Sequence, residues 1–337
     1  MMKQVKTFWF PVILAVLMLG AIGCEDMLED ALSVETEIDE PLFNGSYNEP
    51  VTTVDVAAGL TVSNSAAKAA KASGFGSADF TVTDTRKLLF SLDFGSVTVS
   101  GDIDNSSSET QTITFYFSAV SGLSDPVADG AVMIFSADLA SGANAIDESL
   151  TDGLNGLNQT DAEVAANLET FFSANQGLGT YTVYAVIADG AGDVTVNAFT
   201  LDVGAVFIQT ESFTSDSLEK YTSENAQLDE GYIEGSLTNN GAEAATFKIF
   251  LGETGGAYPP ADQLVASKEN IAAGAAYAMS ENNKNDYMVN AAYLDEQLTQ
   301  LSNGSVSSVE ANLYIYSAAD VNVTLSSSIR GTLTLGD

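Results

Sequence analysis

Carboxylates are the reactive groups this sequence supplies most freely. In 337 residues, 46 Asp and Glu stand against 11 Lys and Arg, and there is no His. Without imidazole, Ser-His-Asp and Cys-His catalysis and His-based metal ligation are excluded. The single Cys, Cys24, excludes an intrachain disulfide and a thiolate zinc site. What the composition leaves is a carboxylate pair for glycoside hydrolysis, or oxygen ligands for calcium. No spacing singles out such a pair, and no P-loop, dinucleotide fingerprint or nucleophile elbow is present. Neither catalytic residues nor a cofactor are therefore expected.

Calcium is the first chemistry to weigh. Asp102, Asp104 and Ser106 alternate as at the start of an EF-hand loop, in the run Asp102–Glu109. The sixth position lacks Gly, and Ile113 sits where the twelfth-position Glu belongs, so a hairpin turn is the expected reading and no metal ligand is assigned. Asp189–Asp193, "DGAGD", is likewise a Gly-rich turn first and a cation loop second. Sugar stacking would need aromatic platforms, for which Tyr181, Tyr184, Tyr314 and Tyr316 are the candidates. Packed or half-exposed strand tyrosines are the commoner arrangement and the expected reading.

The elements that must position these residues are strands, and they occur twice. A shift of 134 superposes Gly101 on Gly235, Asn105 on Asn239, Glu109 on Glu243, Thr112 on Thr246 and Pro126 on Pro260 without a gap. Val97, Val99 and Ile103, then Ile113, Phe115 and Phe117, alternate with polar or small residues at period two. The second copy keeps that phase in Ile233 and Leu237, then Phe247, Ile249 and Leu251. A one-residue slip would turn every side chain to the opposite face, so a shared phase implies a shared register. Further on, Thr160 and Glu163 form a capping-box pattern ahead of Val164, Leu168 and Phe171. A shift of 130 brings Leu294, Leu298 and Leu301 to equivalent places, and Tyr184 to Tyr314; a shift of 127 pairs Asp193-Val194 with Asp320-Val321.

The pattern predicts a mainly β protein: two tandem antiparallel β-sandwich domains, immunoglobulin-like in architecture, from an internal duplication, each with one inserted α-helix. The expected boundaries are 78–204 for the first repeat and 205–337 for the second. The Cys…Trp…Cys mark of true immunoglobulin domains is absent.

The amino terminus carries the clearest signal. Lys3 and Lys6 precede the apolar run Phe8–Leu19, which is short for a membrane span, and "LGAIGC" leads into Cys24. These residues resemble the lipobox of bacterial lipoproteins, with Ala21 where Leu is usual three positions before the Cys. The resemblance implies a signal peptide over 1–23, cleavage before Cys24, and lipidation of Cys24. Two or three acyl chains would hold the protein stably to a membrane, since each buried CH₂ contributes ~0.8 kcal/mol. Residues 24–77, acidic at first and with Pro41 and Pro50, are expected to form a tether or linker, with Val51–Ser63 as a candidate strand for the first repeat.

The acid excess repels phosphate backbones, so nucleic acid is not an expected partner. The expectation is a non-catalytic, lipid-anchored bacterial envelope protein acting as a structural, adhesive or assembly module. It would sit at the outer membrane, facing the periplasm or the cell surface, with an envelope protein or glycan as partner. The alternative is a surface lipoprotein that binds carbohydrate or a small ligand with calcium assisting.

Overall fold

Apolar and polar residues that alternate with period two stand on opposite faces of a strand, and most of this chain is built that way. The computed structural model describes residues 34–63, 74–150, 157–187, 192–214, 225–252 and 255–336. The expected signal peptide and Cys24 lie outside these residues. The fold is mainly β, and every pairing between its named strands is antiparallel.

The strands in chain order are β1 Val34–Glu49, β2 Thr52–Ser63, β3 Gly74–Thr81, β4 Thr98–Asn105, β5 Gln111–Ser118, β6 Val132–Leu139 and β7 Gly142–Ser149. They continue as β8 Thr180–Ile187, β9 Asp193–Thr214, β10 Asn225–Asn239, β11 Ala245–Leu251, β12 Leu264–Ile271, β13 Ala276–Met279, β14 Ser308–Ser317 and β15 Val321–Gly336. Among the described residues, three α-helices interrupt them: α1 Thr85–Asp93, α2 Asp161–Ala174 and α3 Ala291–Ser302.

Four strand sequences account for the pairing. One sheet runs β3-β8-β5-β6 and another β1-β15-β10-β13. The 22-residue β9 serves two more: its Asp193–Asp202 stretch lies between β2 and β4, with β7 beyond β4, while Ala205–Thr214 pairs with β14, followed by β11 and β12. Gly204, at φ +67, marks the change of partners; a Cβ there would lie 2.7 Å from the Tyr316 ring.

Two main apolar cores result. The first takes buried residues from Val54 to Val203, drawing on β2 to β8, the first half of β9, and the two helices α1 and α2. Phe117 lies at its centre, with Phe80, Phe171, Phe172 and Phe199 at ring distances of 4.8 to 6.2 Å. The second takes Ala205 to Ile329, together with Ile38, Leu42, Phe43 and Tyr47 from β1. Both helices expected from the sequence are present, α2 with its Thr160–Glu163 capping box, and Val164, Leu168, Phe171, Leu294, Leu298 and Leu301 are all buried.

Two expectations are corrected. Residues 24–77 are not a continuous tether: β1, β2 and the start of β3 are strands in the sheets, and β1 completes the second core although it precedes the first in the chain. The first unit also has a helix the sequence reading lacked. Asp84 caps α1, accepting the Arg86 backbone N–H at 3.0 Å and both Nε and Nη2 of its guanidinium.

Candidate functional site

The turn weighed for calcium is organised by an amide, not by carboxylates. Asn105, 1% exposed, donates from Nδ2 to the carbonyls of Glu109 and Leu139 at 2.9 and 3.0 Å. Its Oδ1 accepts the Ser107 N–H at 3.0 Å and the Gln111 amide at 3.1 Å. Asp102 and Asp104 stay exposed on β4, where Asp104 accepts from Asn197. Asn239 repeats the arrangement: it donates to Glu243 and Ile271 carbonyls, both at 2.8 Å, and accepts the Gly241 N–H at 2.9 Å. Buried polar groups that find every partner in this way lock a turn in one conformation. Of "DGAGD", residues 189–191 lie outside the described residues; Asp193 opens β9 and accepts from Ser63 and Ser106. Among the described residues, no three His, Cys, Asp or Glu side chains are grouped to hold a metal ion.

The four tyrosines do not form a sugar platform, because none is exposed beyond 8%. Tyr181 packs in the first core and donates to the Asn175 carbonyl at 2.9 Å. Tyr184 points out of the opposite face of β8, since Val183 and Ala185 point into the core. The loop after β5 covers it: the Tyr184 hydroxyl donates to Val120 O and accepts from Leu123 N at 3.1 and 2.9 Å. Tyr314 has the same phase on β14, between the core residues Leu313 and Ile315. There the cover is the first unit itself.

That contact is a third apolar cluster, formed by Phe90, Val206, Phe250, Tyr314 and Tyr316, with Phe94, Ile208, Tyr258 and Leu264 at its margin. Helix α1 makes the bridge: Leu88 and Leu89 face the first core while Phe90 meets Tyr314, ring centroids 5.1 Å apart. Tyr258 stands perpendicular to Tyr314, and its hydroxyl donates to Asp93 at 3.1 Å. Burial and then Asp93 push its phenol well above the ordinary tyrosine range. Lys248 ion-pairs with Asp93 and lies 5.5 Å from the Phe90 ring, and Lys87 pairs with Glu49 at the end of β1. The signal in the sequence is the phase of Tyr314 and Tyr316, weighed there as a sugar platform against the commoner reading of packed strand tyrosines, and packed is what they are.

A cleft of about 320 Å³ lies elsewhere, on the sheet of β1, β15 and β10. Glu37, Glu230, Tyr232, Glu234, Glu281 and Arg330 line it. Tyr232 and Glu234 share a face of β10, and a register shift between Asp229 and Tyr232 puts Glu230 at φ +55. Arg330 Nη1 reaches Asp39 at 2.9 Å, and its Nε lies 2.8 Å from Glu234, too far off the N–H direction to count as a hydrogen bond. Burial, then Glu234 and Glu281, raise the Tyr232 phenol. These are half-exposed ion pairs, each worth at most about 1 kcal/mol. The cleft is a polar, net-negative surface with one guanidinium already shared between two carboxylates.

No family model matches the chain, and no curated protein matches it. Among solved structures, a Parabacteroides distasonis ATCC 8503 protein provisionally described as secreted aligns over 90% of this chain and 100% of its own, at 11% identity and TM-score 0.35. A family 11 carbohydrate-binding module from Clostridium thermocellum aligns over 48% of this chain and 94% of its own, at 14% identity and TM-score 0.22. The glycoside hydrolase domain of Endo-D from Streptococcus pneumoniae R6 aligns over 74% and 32%, at 9% identity and TM-score 0.19. None of the three reaches a TM-score of 0.5 or identifies a family.

Proposed function

We propose that this chain is a non-catalytic, lipid-anchored protein of the bacterial cell envelope, built from two copies of one β-sandwich and acting as a structural, adhesive or assembly module. The duplication is supported by the shared hydrogen bonds of Asn105 and Asn239. It is supported too by the matching strand orders β2-β9-β4-β7 with β1-β15-β10-β13, and β3-β8-β5-β6 with β9-β14-β11-β12. The observation that carries the functional reading is the fate of the outward aromatic row. Tyr314 and Tyr316 hold the first unit against the second, where a binder would keep such rings open for a ligand. The anchor is tested by Cys24→Ser. The expected result is an unprocessed precursor with no acyl mass and no palmitate incorporation; normal maturation of the variant contradicts the reading.

The second reading, a glycan or small-ligand binder assisted by calcium, has its support in the acid-lined cleft around Arg330. Calorimetry and thermal melts of the 25–337 chain with millimolar calcium decide it. Heat of binding with a raised melting temperature would favour the binder, and their absence favours the structural module.

A further inference from the structure

From the path of β1 we infer that the protein stands on its membrane with the second unit inward and the first unit outward, the turn around Ser108 farthest from the bilayer. The inference rests on the lipid-anchor reading of Cys24.

Strand β1 pairs with β15 from Val34↔Leu335 to Glu49↔Val321. Its Val34 end lies beside the free ends of the second unit, where β14 begins, because Ser308 pairs with Thr214 and β14 returns into β15 through the turn after Ser317. Its Glu49 end meets the first unit: Glu49 ion-pairs with Lys87 of α1, and the Val51 N–H donates to Asp320 at 3.0 Å. At 3.2–3.4 Å per residue, the two ends of β1 are about 50 Å apart. Cys24 precedes Val34 by ten residues, which can span at most about 36 Å whatever their conformation. The acyl chains can therefore sit near the Val34 end, but cannot reach the junction with the first unit along β1.

Beyond the junction the first unit extends the same logic. Thr98 of β4 pairs with Asp202, next to the change of partners at Gly204, whereas Asn105 pairs with Val194 and Gly142 at the opposite end. The turn that follows, with exposed Ser108, is thus on the side of the first unit remote from the second. The acid-lined cleft, with Glu37 only three residues into β1, falls on the membrane side.

The lipidated protein, with Cys24 acylated, has no free thiol, so single cysteines introduced at Ser307, Ala318 and Ser108 can be labelled in turn. All three positions are exposed. With the protein reconstituted in vesicles of phosphatidylcholine and phosphatidylglycerol carrying an acceptor-labelled lipid, energy transfer to the bilayer is expected to fall in the order Ser307→Cys, Ala318→Cys, Ser108→Cys. The first is expected to exceed the last several-fold. Equal transfer from all three positions, or greatest transfer from position 108, overturns the inference while leaving lipidation intact. Absence of the acyl mass, with no flotation of the protein with vesicles, overturns both the inference and the anchor reading.

Discussion

Asn105 and Asn239 show how much one buried side chain can specify. Each side-chain amide donates to two carbonyls across its turn, and its Oδ1 receives the N–H two residues on. Replacing either by Ala leaves several buried groups unpaired, at ~1–3 kcal/mol for each group left without water. Asn105→Ala and Asn239→Ala are expected to destabilise by about 2–4 kcal/mol each, measured by urea denaturation. A near-zero effect at one position alone would argue that the two turns are not equivalent. Gly235 is a second residue that chemistry fixes: at φ +154, a Cβ would lie 2.0 Å from the Ser326 carbonyl oxygen. Its counterpart Gly101 meets nothing closer than 3.5 Å, so a shared glycine does not mean a shared constraint.

Tyrosines set the alkaline limit at this scale. Burial raises the phenols of Tyr258, Tyr287 and Tyr314 above the ordinary value of 10, with Asp93 adding to the effect at Tyr258 and Arg86 opposing it at Tyr314. Above pH 10 the unfolded chain releases these protons while the folded chain keeps them. Stability is therefore unchanged by them below about pH 9 and falls above 10, by up to ~1.4 kcal/mol per pH unit for each tyrosine. Melting temperatures measured from pH 8 to 11 check this, and a flat profile to pH 11 would contradict it.

At the scale of elements, the strands with clean alternation were legible and the irregular one was not. In β5, Ile113, Phe115 and Phe117 are buried and Thr112, Thr114 and Tyr116 half-buried, as period two requires. In β1 the apolar residues fall at Ile38, Leu42, Phe43 and Tyr47, because the register shifts between Pro41 and Asn44 and puts two buried residues in succession. That bulge erased the alternation, and the acidic residues around it suggested a solvated linker. Helix α1 was missed for a different reason: its nine residues divide their apolar side chains between two cores, so no single stripe marks them. The candidate site was legible only as an outward aromatic phase, since what covers a sheet face is decided by the partner element and not by the strand.

For the molecule as a whole, the third cluster joins two separately cored units into one. Phe90 is fully buried there, with Lys248 over its ring and Tyr314 and Tyr258 beside it. Phe90→Ala is expected to cost about 3–5 kcal/mol, and to split a single calorimetric transition into two as the units uncouple. One undivided transition in the variant would mean that the ion pairs and the continuous strand β9 suffice to couple them. The acid excess over the whole chain, 46 against 11, fits a surface that stays dispersed while the few cations are spent at defined places: Lys87 and Lys248 at the junction, Arg330 at the cleft.

The first unit is inserted between the first and second strands of the other, so that β1 completes a core it precedes by some 150 residues. Burying Ile38, Leu42, Phe43 and Tyr47 stabilises by roughly 6–10 kcal/mol in all, comparable with the whole stability of a domain. Fragment complementation measures this directly. Residues 51–203 are expected to melt cooperatively alone, whereas 204–336 should do so only when a peptide of residues 34–49 is added. A 204–336 fragment that folds equally well with and without the peptide would contradict the account.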